Sequence, residues 1–233
     1  MASWQPAEAS GKALDAIKKT VPFMFGGSAD LASSNEMDKQ GSDSFQPMHP
    51  ANSNIWWGVR EHAMGGAMNG IAHHGGLRTY GGTFLTFSDY MRGAIRLTAL
   101  AESTATFVFT HDSIGLGEDG PTHQPIEQVL ALRSIPNIVV LRPAGANEST
   151  EAWRIAMTTS KSPVVLVFLA PEATHPGPVQ ARLGARGRGQ GRVHPERSRR
   201  RHAAAHSYRH RLGSEAGDGR AERSCKKPAR PPA

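Results

Sequence analysis

Five residues stand out by type and setting as able to do chemistry: Asp30, Glu61, His111, Asp119 and His123. Asp30 ends the run Gly26-Gly-Ser-Ala-Asp-Leu31, and Glu61 sits inside Gly58-Val-Arg-Glu-His-Ala-Met64. The other three share one long segment, His111-Asp-Ser-Ile-Gly-Leu-Gly-Glu-Asp-Gly-Pro-Thr-His-Gln124. Carboxyl and imidazole groups can hold and pass protons, and imidazole does so near neutral pH. His111 and His123 could also be metal ligands, but no cysteine or third histidine accompanies them. Each of the five has a plainer reading. Glu61 opens a helical pattern, where negative charge suits the helix N-terminus, and loop acids and histidines often only satisfy backbone groups. Phe84, Phe87 and Tyr90 recur every three residues, which reads first as one core face of a helix.

The elements around these residues decide whether they can meet. Short apolar runs at 21–25, 54–58, 105–110, 138–141 and 163–168 read as strands, several rich in β-branched and aromatic residues. Helical patterns lie at 7–19, 61–73, 84–100, 124–133 and 147–159. Near-continuous apolar strands alternating with helices predict an α/β fold, a parallel sheet flanked by helices on both faces. Ligands of such sheets bind beyond the carboxyl ends of the strands. The three Gly-rich runs come after the strands at 21–25, 54–58 and 105–110, so one sheet edge collects all five residues. His73 and His74, by contrast, precede Gly75-Gly76 at a helix end and read as helix-dipole partners.

Composition divides the 233 residues in two. Residues 1–169 hold 12 Lys+Arg and 15 Asp+Glu, net −3, whereas residues 170–233 hold 15 and 5, net +10. The formal charge of +7 therefore belongs to the last segment. Tyr208 is its only aromatic residue, and Arg, Gly and Pro recur in it without period. Such a segment cannot bury enough apolar surface to offset chain entropy, so residues 170–233 are expected to be a disordered, Arg-rich tail behind a domain at 1–169. The tail reads either as an arginine-rich nucleic-acid arm or as a stretch without function; the second is preferred, and no nucleic-acid partner is expected. A single cysteine excludes a disulfide framework. No run reaches the roughly 18 apolar residues of a membrane span, and residues 1–12 lack a signal-peptide core, so a cytoplasmic protein without a membrane partner is expected.

The runs Gly26–Leu31, Gly58–Met64, Gly81-Gly-Thr-Phe-Leu-Thr-Phe-Ser-Asp-Tyr-Met-Arg92 and 111–124 closely resemble the central, pyrimidine-binding domain of transketolases, which use thiamine diphosphate. The resemblance covers about residues 8–168. It implies that Glu61 hydrogen-bonds the aminopyrimidine ring of the cofactor, favouring the tautomer whose exocyclic nitrogen can take the thiazolium proton. It implies that Phe84, Phe87 and Tyr90 hold the pyrimidine, Phe87 being the best stacking candidate, because flat heteroaromatic rings suit aromatic walls. Asp30 matches an acid near the cofactor at the subunit interface, and Ser34 a serine on the sugar phosphate, with Ser33 beside it. His111 and His123 would line the substrate channel and move protons, and Asp119 would bond a substrate hydroxyl. The family transfers a two-carbon ketol unit between sugar phosphates, and its whole enzyme is a homodimer.

The resemblance also implies parts that this sequence does not carry. A whole transketolase has an earlier domain that binds the diphosphate through magnesium or calcium, and a third domain at its C-terminal end. Met1 falls near the expected start of the middle domain. The phosphate-binding arginine expected just after residues 164–168 is replaced by Leu169-Ala-Pro-Glu-Ala-Thr-His175. Gly217-Asp-Gly219 looks like a diphosphate motif but lies in the tail with no strand before it. Back-translated and read from the second base, the segments 172–176, 193–202 and 208–214 resemble, in order, stretches that transketolases carry after the middle domain. Residues beyond about 169 are therefore expected to be out of frame. The chain reads as the pyrimidine-binding half of a transketolase, inactive by itself, or as the small subunit of a split transketolase working with a separate diphosphate-binding chain.

Overall fold

The computed structural model describes residues 5–37, 44–114, 116 and 119–169. The tail at 170–233, with its expected disorder and frame change, lies outside them. Among these described residues six strands form one parallel sheet: β1 (Met24–Ser28), β2 (Asn54–Trp56), β3 (Arg78–Phe84), β4 (Ala105–Thr110), β5 (Val139–Leu141) and β6 (Val164–Val167). Their order across the sheet is β2-β1-β3-β4-β6-β5. Among the described residues five α-helices accompany them: α1 (Pro6–Thr20), α2 (Glu61–His74), α3 (Ser88–Leu100), α4 (Gln128–Arg133) and α5 (Ala146–Thr158). The expected α/β class and the parallel sheet between helices are both present.

Strand alternation sends each side chain to one of two cores. Phe107 and Phe109 of β4, with Val165 and Val167 of β6, pack against Met64 and Met68 of α2 and Met91 and Ile95 of α3. The intervening Val108, Val164 and Leu166 face the other side and meet Leu14 of α1 and Trp153 of α5. Helices α1 and α5 are also joined by polar bonds, Trp153 Nε1 donating to Ser10 Oγ at 2.8 Å and Ser149 Oγ to the Pro6 carbonyl at 3.2 Å. Arg78 donates through Nη2 to the Ala156 and Thr159 carbonyls at 2.5 and 2.6 Å, satisfying the end of α5. Among the described residues no helix is long and apolar enough to cross a membrane.

Expectation and architecture differ at the centre of the sheet. Strand β3 does not figure among the five expected strands, because Arg-Thr-Tyr-Gly-Gly-Thr-Phe has two glycines and little continuous apolar character. The glycines are there for packing: a Cβ at Gly81 would overlap the Met68 sulfur, and one at Gly82 would lie 3.0 Å from Met37 Cγ. Strand β1 likewise runs to Ser28, so Gly26 and Gly27 belong to the strand and not to the loop after it. A Cβ at Gly26 would overlap the Tyr80 carbonyl oxygen, and one at Gly27 that of Ile55. The expected helix from residue 84 is also divided. Phe84 ends β3, residues Leu85–Phe87 form a 3₁₀ turn, and α3 begins at Ser88.

Candidate functional site

All six strands of the parallel sheet end on one edge, and register fixes which ends are neighbours. Ser28 of β1 pairs with Trp56 on one side and Gly82 on the other, and Phe84 of β3 pairs with Thr110 of β4. The side chains of Phe84 and of the residue after Thr110, His111, therefore come together at the rim. Their rings stack with centroids 3.6 Å apart and planes 27° from parallel.

Four more ring contacts extend this pair. Phe87 lies parallel to Phe84 at 6.0 Å, and Tyr90 is tilted against Phe87 at 5.9 Å. His123 presents an edge to both phenylalanines, at 6.1 Å from Phe84 and 5.1 Å from Phe87. The three-residue spacing of Phe84, Phe87 and Tyr90 is thus not one helix face. It spans a strand end, a 3₁₀ turn and the first turn of α3, and this corner aims the rings at the His111 loop. Phe84 is 5 % exposed, while Tyr90 is 65 % exposed. Phe87 lies between them in burial.

Glu61 is the first residue of α2 and is buried at 7 % exposure. Its Oε1 accepts a hydrogen bond from Thr83 Oγ1 at 3.3 Å. Thr83 immediately precedes Phe84, so Glu61 is tied to the end of β3, on the sheet edge that also carries the ring cluster. Helix α2 begins without a side-chain cap, and the carboxylate suits the unsatisfied N–H groups there.

His111 is the most constrained member. It is 4 % exposed, and its φ of +60° lies in the left-handed region that non-glycine residues seldom adopt. Burial is the main reason that its pKa falls to about 4; Asp119 opposes the shift and His123 adds to it. His111 is therefore neutral at pH 7, which departs from the expectation of an imidazole titrating there. Asp119, expected as a substrate contact, does lie close enough to His111 to act on its charge. Next in the chain, Asp112 is buried and ion-paired to Arg142, just beyond the end of β5. Burial raises its pKa, and Arg142 partly offsets this.

Asp30 and Ser34 lie in the turn after β1, both exposed, with Asp30 at a φ of +61°. Neither side chain has a partner among the described residues. They share the sheet edge but are not part of the ring cluster. The turn is tied to that cluster by Asn35, a residue sequence reasoning missed, whose amide lies between Ser28 and Thr110. Thr83 and Thr110 are likewise absent from the sequence-based candidates. Their only signal is position, each being the last or next-to-last residue of a strand whose end carries a functional candidate. Among the described residues no three His, Cys, Asp or Glu side chains converge as a metal site.

The match to known proteins agrees with this edge. The family model "Transketolase, pyrimidine binding domain" matches residues 3–173. A transketolase of Halalkalibacterium halodurans is 55 % identical over 159 residues, which make up 68 % of this chain and 24 % of the relative. A crystal structure of the Pichia stipitis transketolase in complex with sedoheptulose 7-phosphate superposes with a TM-score of 0.70 at 47 % identity, covering 72 % of this chain and 26 % of that one. The fold is shared too with a split-gene transketolase, solved as an inactive β4 tetramer, at a TM-score of 0.58 and 24 % identity. The chain spans about a quarter of the length of the first two of these relatives. A parallel sheet with a buried glutamate after β2 and a ring cluster at the ends of β3 and β4, matched over 171 residues by one domain model, makes this chain a member of the transketolase pyrimidine-binding domain family.

Proposed function

We propose that this sheet edge holds the aminopyrimidine ring of thiamine diphosphate, and that the chain supplies the pyrimidine-binding half of a ketol-transferring site for sugar phosphates. The observation that carries the reading is Glu61: a carboxyl group 7 % exposed, with only one oxygen engaged, by Thr83, at the sheet edge that also carries the aromatic rings. The second carboxyl oxygen is free to take a polar partner, and a nitrogen heterocycle that stacks on aromatic faces fits both features.

In this reading the cofactor, when bound, supplies the carbon nucleophile. Glu61 binds a ring nitrogen through Oε2 and shares a proton with it, while Thr83 fixes Oε1. The face of Phe84 toward His111 is already taken, so Phe87 and Tyr90 offer ring surface to the pyrimidine. His111 and His123 contact substrate hydroxyls, His111 as a neutral ring, with Asp119 beside them. Asp30 and Ser34 lie on the near side of the same edge, in reach of the cofactor and of a sugar phosphate. The diphosphate and its magnesium or calcium are held by a second domain or a partner chain, in a homodimer of the whole enzyme. A cytoplasmic location accords with sugar-phosphate substrates.

The test is a chimera in which residues 5–169 replace the matching segment of the H. halodurans transketolase. It should transfer ketol units with thiamine diphosphate. Glu61→Ala in the chimera should lower the rate by about 10²–10⁴-fold, the range of general acid–base catalysis. Near-normal turnover of that variant at saturating cofactor would overturn the assignment.

A further inference from the structure

We infer that Asn35 and Thr110 are positioning residues that fix the tautomer of His111, leaving Nδ1 protonated and Nε2 as the acceptor nitrogen of the ring. A chain of hydrogen bonds, whose direction is set at its far end, dictates this. The Gly82 carbonyl can only accept; besides the Ala29 N–H at 2.9 Å it takes the one proton of Ser28 Oγ, 3.2 Å away. Ser28 Oγ must then accept from Asn35 Nδ2, at 3.0 Å. This orients the amide and turns Asn35 Oδ1, which can only accept, toward Thr110 Oγ1 at 2.5 Å. Thr110 spends its single hydroxyl proton there. Its contact with His111 Nδ1 at 2.9 Å can then only be one in which Nδ1–H donates.

All four bonds are internal, and Ser28, Asn35, Thr110 and His111 are each at most 4 % exposed, so water cannot readily stand in for a partner. This hydrogen-bond chain spans the ends of β1, β3 and β4, three neighbouring strands of the candidate edge. A neutral ring with a bare Nε2 accepts a hydrogen bond from a ligand hydroxyl or amine. This part rests on the reading of the edge as a sugar-phosphate site. The tautomer itself does not, because it is fixed by the protein alone.

The test is nitrogen-15 NMR of the full 233-residue chain labelled at histidine, with the His111 signals identified by their loss in His111→Gln. Two-bond proton–nitrogen correlations distinguish the two neutral tautomers. Without any ligand, His111 should carry its proton on Nδ1. Asn35→Ala frees the Thr110 hydroxyl to donate to Nδ1, so the proton should move to Nε2 although Thr110 is untouched. Thr110→Val should also release the preference, and Thr110→Ser should restore it. A wild-type ring protonated on Nε2 would overturn the inference without any variant having to fold. So would an Asn35→Ala ring still protonated on Nδ1. Failure of the cofactor reading would leave these spectra unchanged, so the two ideas fall separately.

Discussion

Phe84 lies flat on the imidazole of His111, and the two are brought there by strand register, since Phe84 is the partner of Thr110 in the last pair of β3 and β4. The stack has an electrostatic cost for the charged ring. It removes water from one imidazole face, and burial of this kind is the main cause of the low pKa.

That pKa has a consequence for stability against pH. An unfolded His111 takes a proton near its ordinary 6.5, whereas the folded residue refuses it down to about 4. Between these values the unfolded state binds more protons, so stability falls as pH drops from 6.5 and the loss levels off below about 4. Urea midpoints of wild type and His111→Gln should therefore converge or cross as pH is lowered through this window, the variant having the shallower slope. Parallel curves would show that His111 is not the residue responsible.

The Asp112–Arg142 pair gives a dependence of opposite sign. Burial raises the Asp112 pKa, and Arg142 holds part of that rise back. Arg142→Met leaves the buried carboxylate without its ion-pair partner, with only the weaker pull of Arg133 remaining. Breaking a fully buried pair costs about 3–5 kcal/mol, but the Arg142 side chain is 47 % exposed, so solvent screening reduces the expected loss to roughly 1–3 kcal/mol at pH 7. A carboxyl whose pKa is raised favours the fold when protonated. The difference between variant and wild type should shrink as the pH approaches about 4, and chemical denaturation at the two pH values measures this.

Gly26 and Gly81 separate rigid from yielding neighbours. At Gly26 a methyl group would meet the backbone carbonyl of Tyr80, and at Gly81 the thioethers of Met64 and Met68. Overpacking costs about 1–3 kcal/mol and sometimes more. Gly26→Ala should reach or exceed the top of that range, since the β1–β3 ladder must part, while Gly81→Ala should stay within it because methionine repacks. Equal losses in urea titrations would mean that the methionines are held as firmly as backbone.

How far sequence could go depended on the kind of determinant. The apolar strands at 105–110 and 163–168 were legible because burial on both faces leaves a continuous apolar signature, and the helix opened by Glu61 was legible from its helical pattern. β3 was not, since its burial rests on glycines that make room for methionine side chains from elsewhere in the chain. Phe84, Phe87 and Tyr90 were legible as a group, but their spacing suggested a helix face. Only the corner between strand and helix shows why they face the His111 loop. The hydrogen-bond chain through Asn35 was beyond reach, because Asn35 and Thr110 are 75 positions apart and meet through sheet order alone.

Methionine sulfurs fill the space that Gly81 and Gly82 leave on the two faces of β3: Met64 and Met68 on one, Met37 on the other. All three are at most 2 % exposed, so an oxidant in solution cannot reach them while the sheet is closed. Each opening exposes a thioether, and conversion to the polar sulfoxide makes its return to an apolar layer unfavourable. The packing that lets two glycines sit at the centre of the sheet thus turns brief openings into permanent damage under peroxide. Thioether loss in this chain would then act as a chemical clock for breathing of the central strand, directly beneath Thr83 and Phe84.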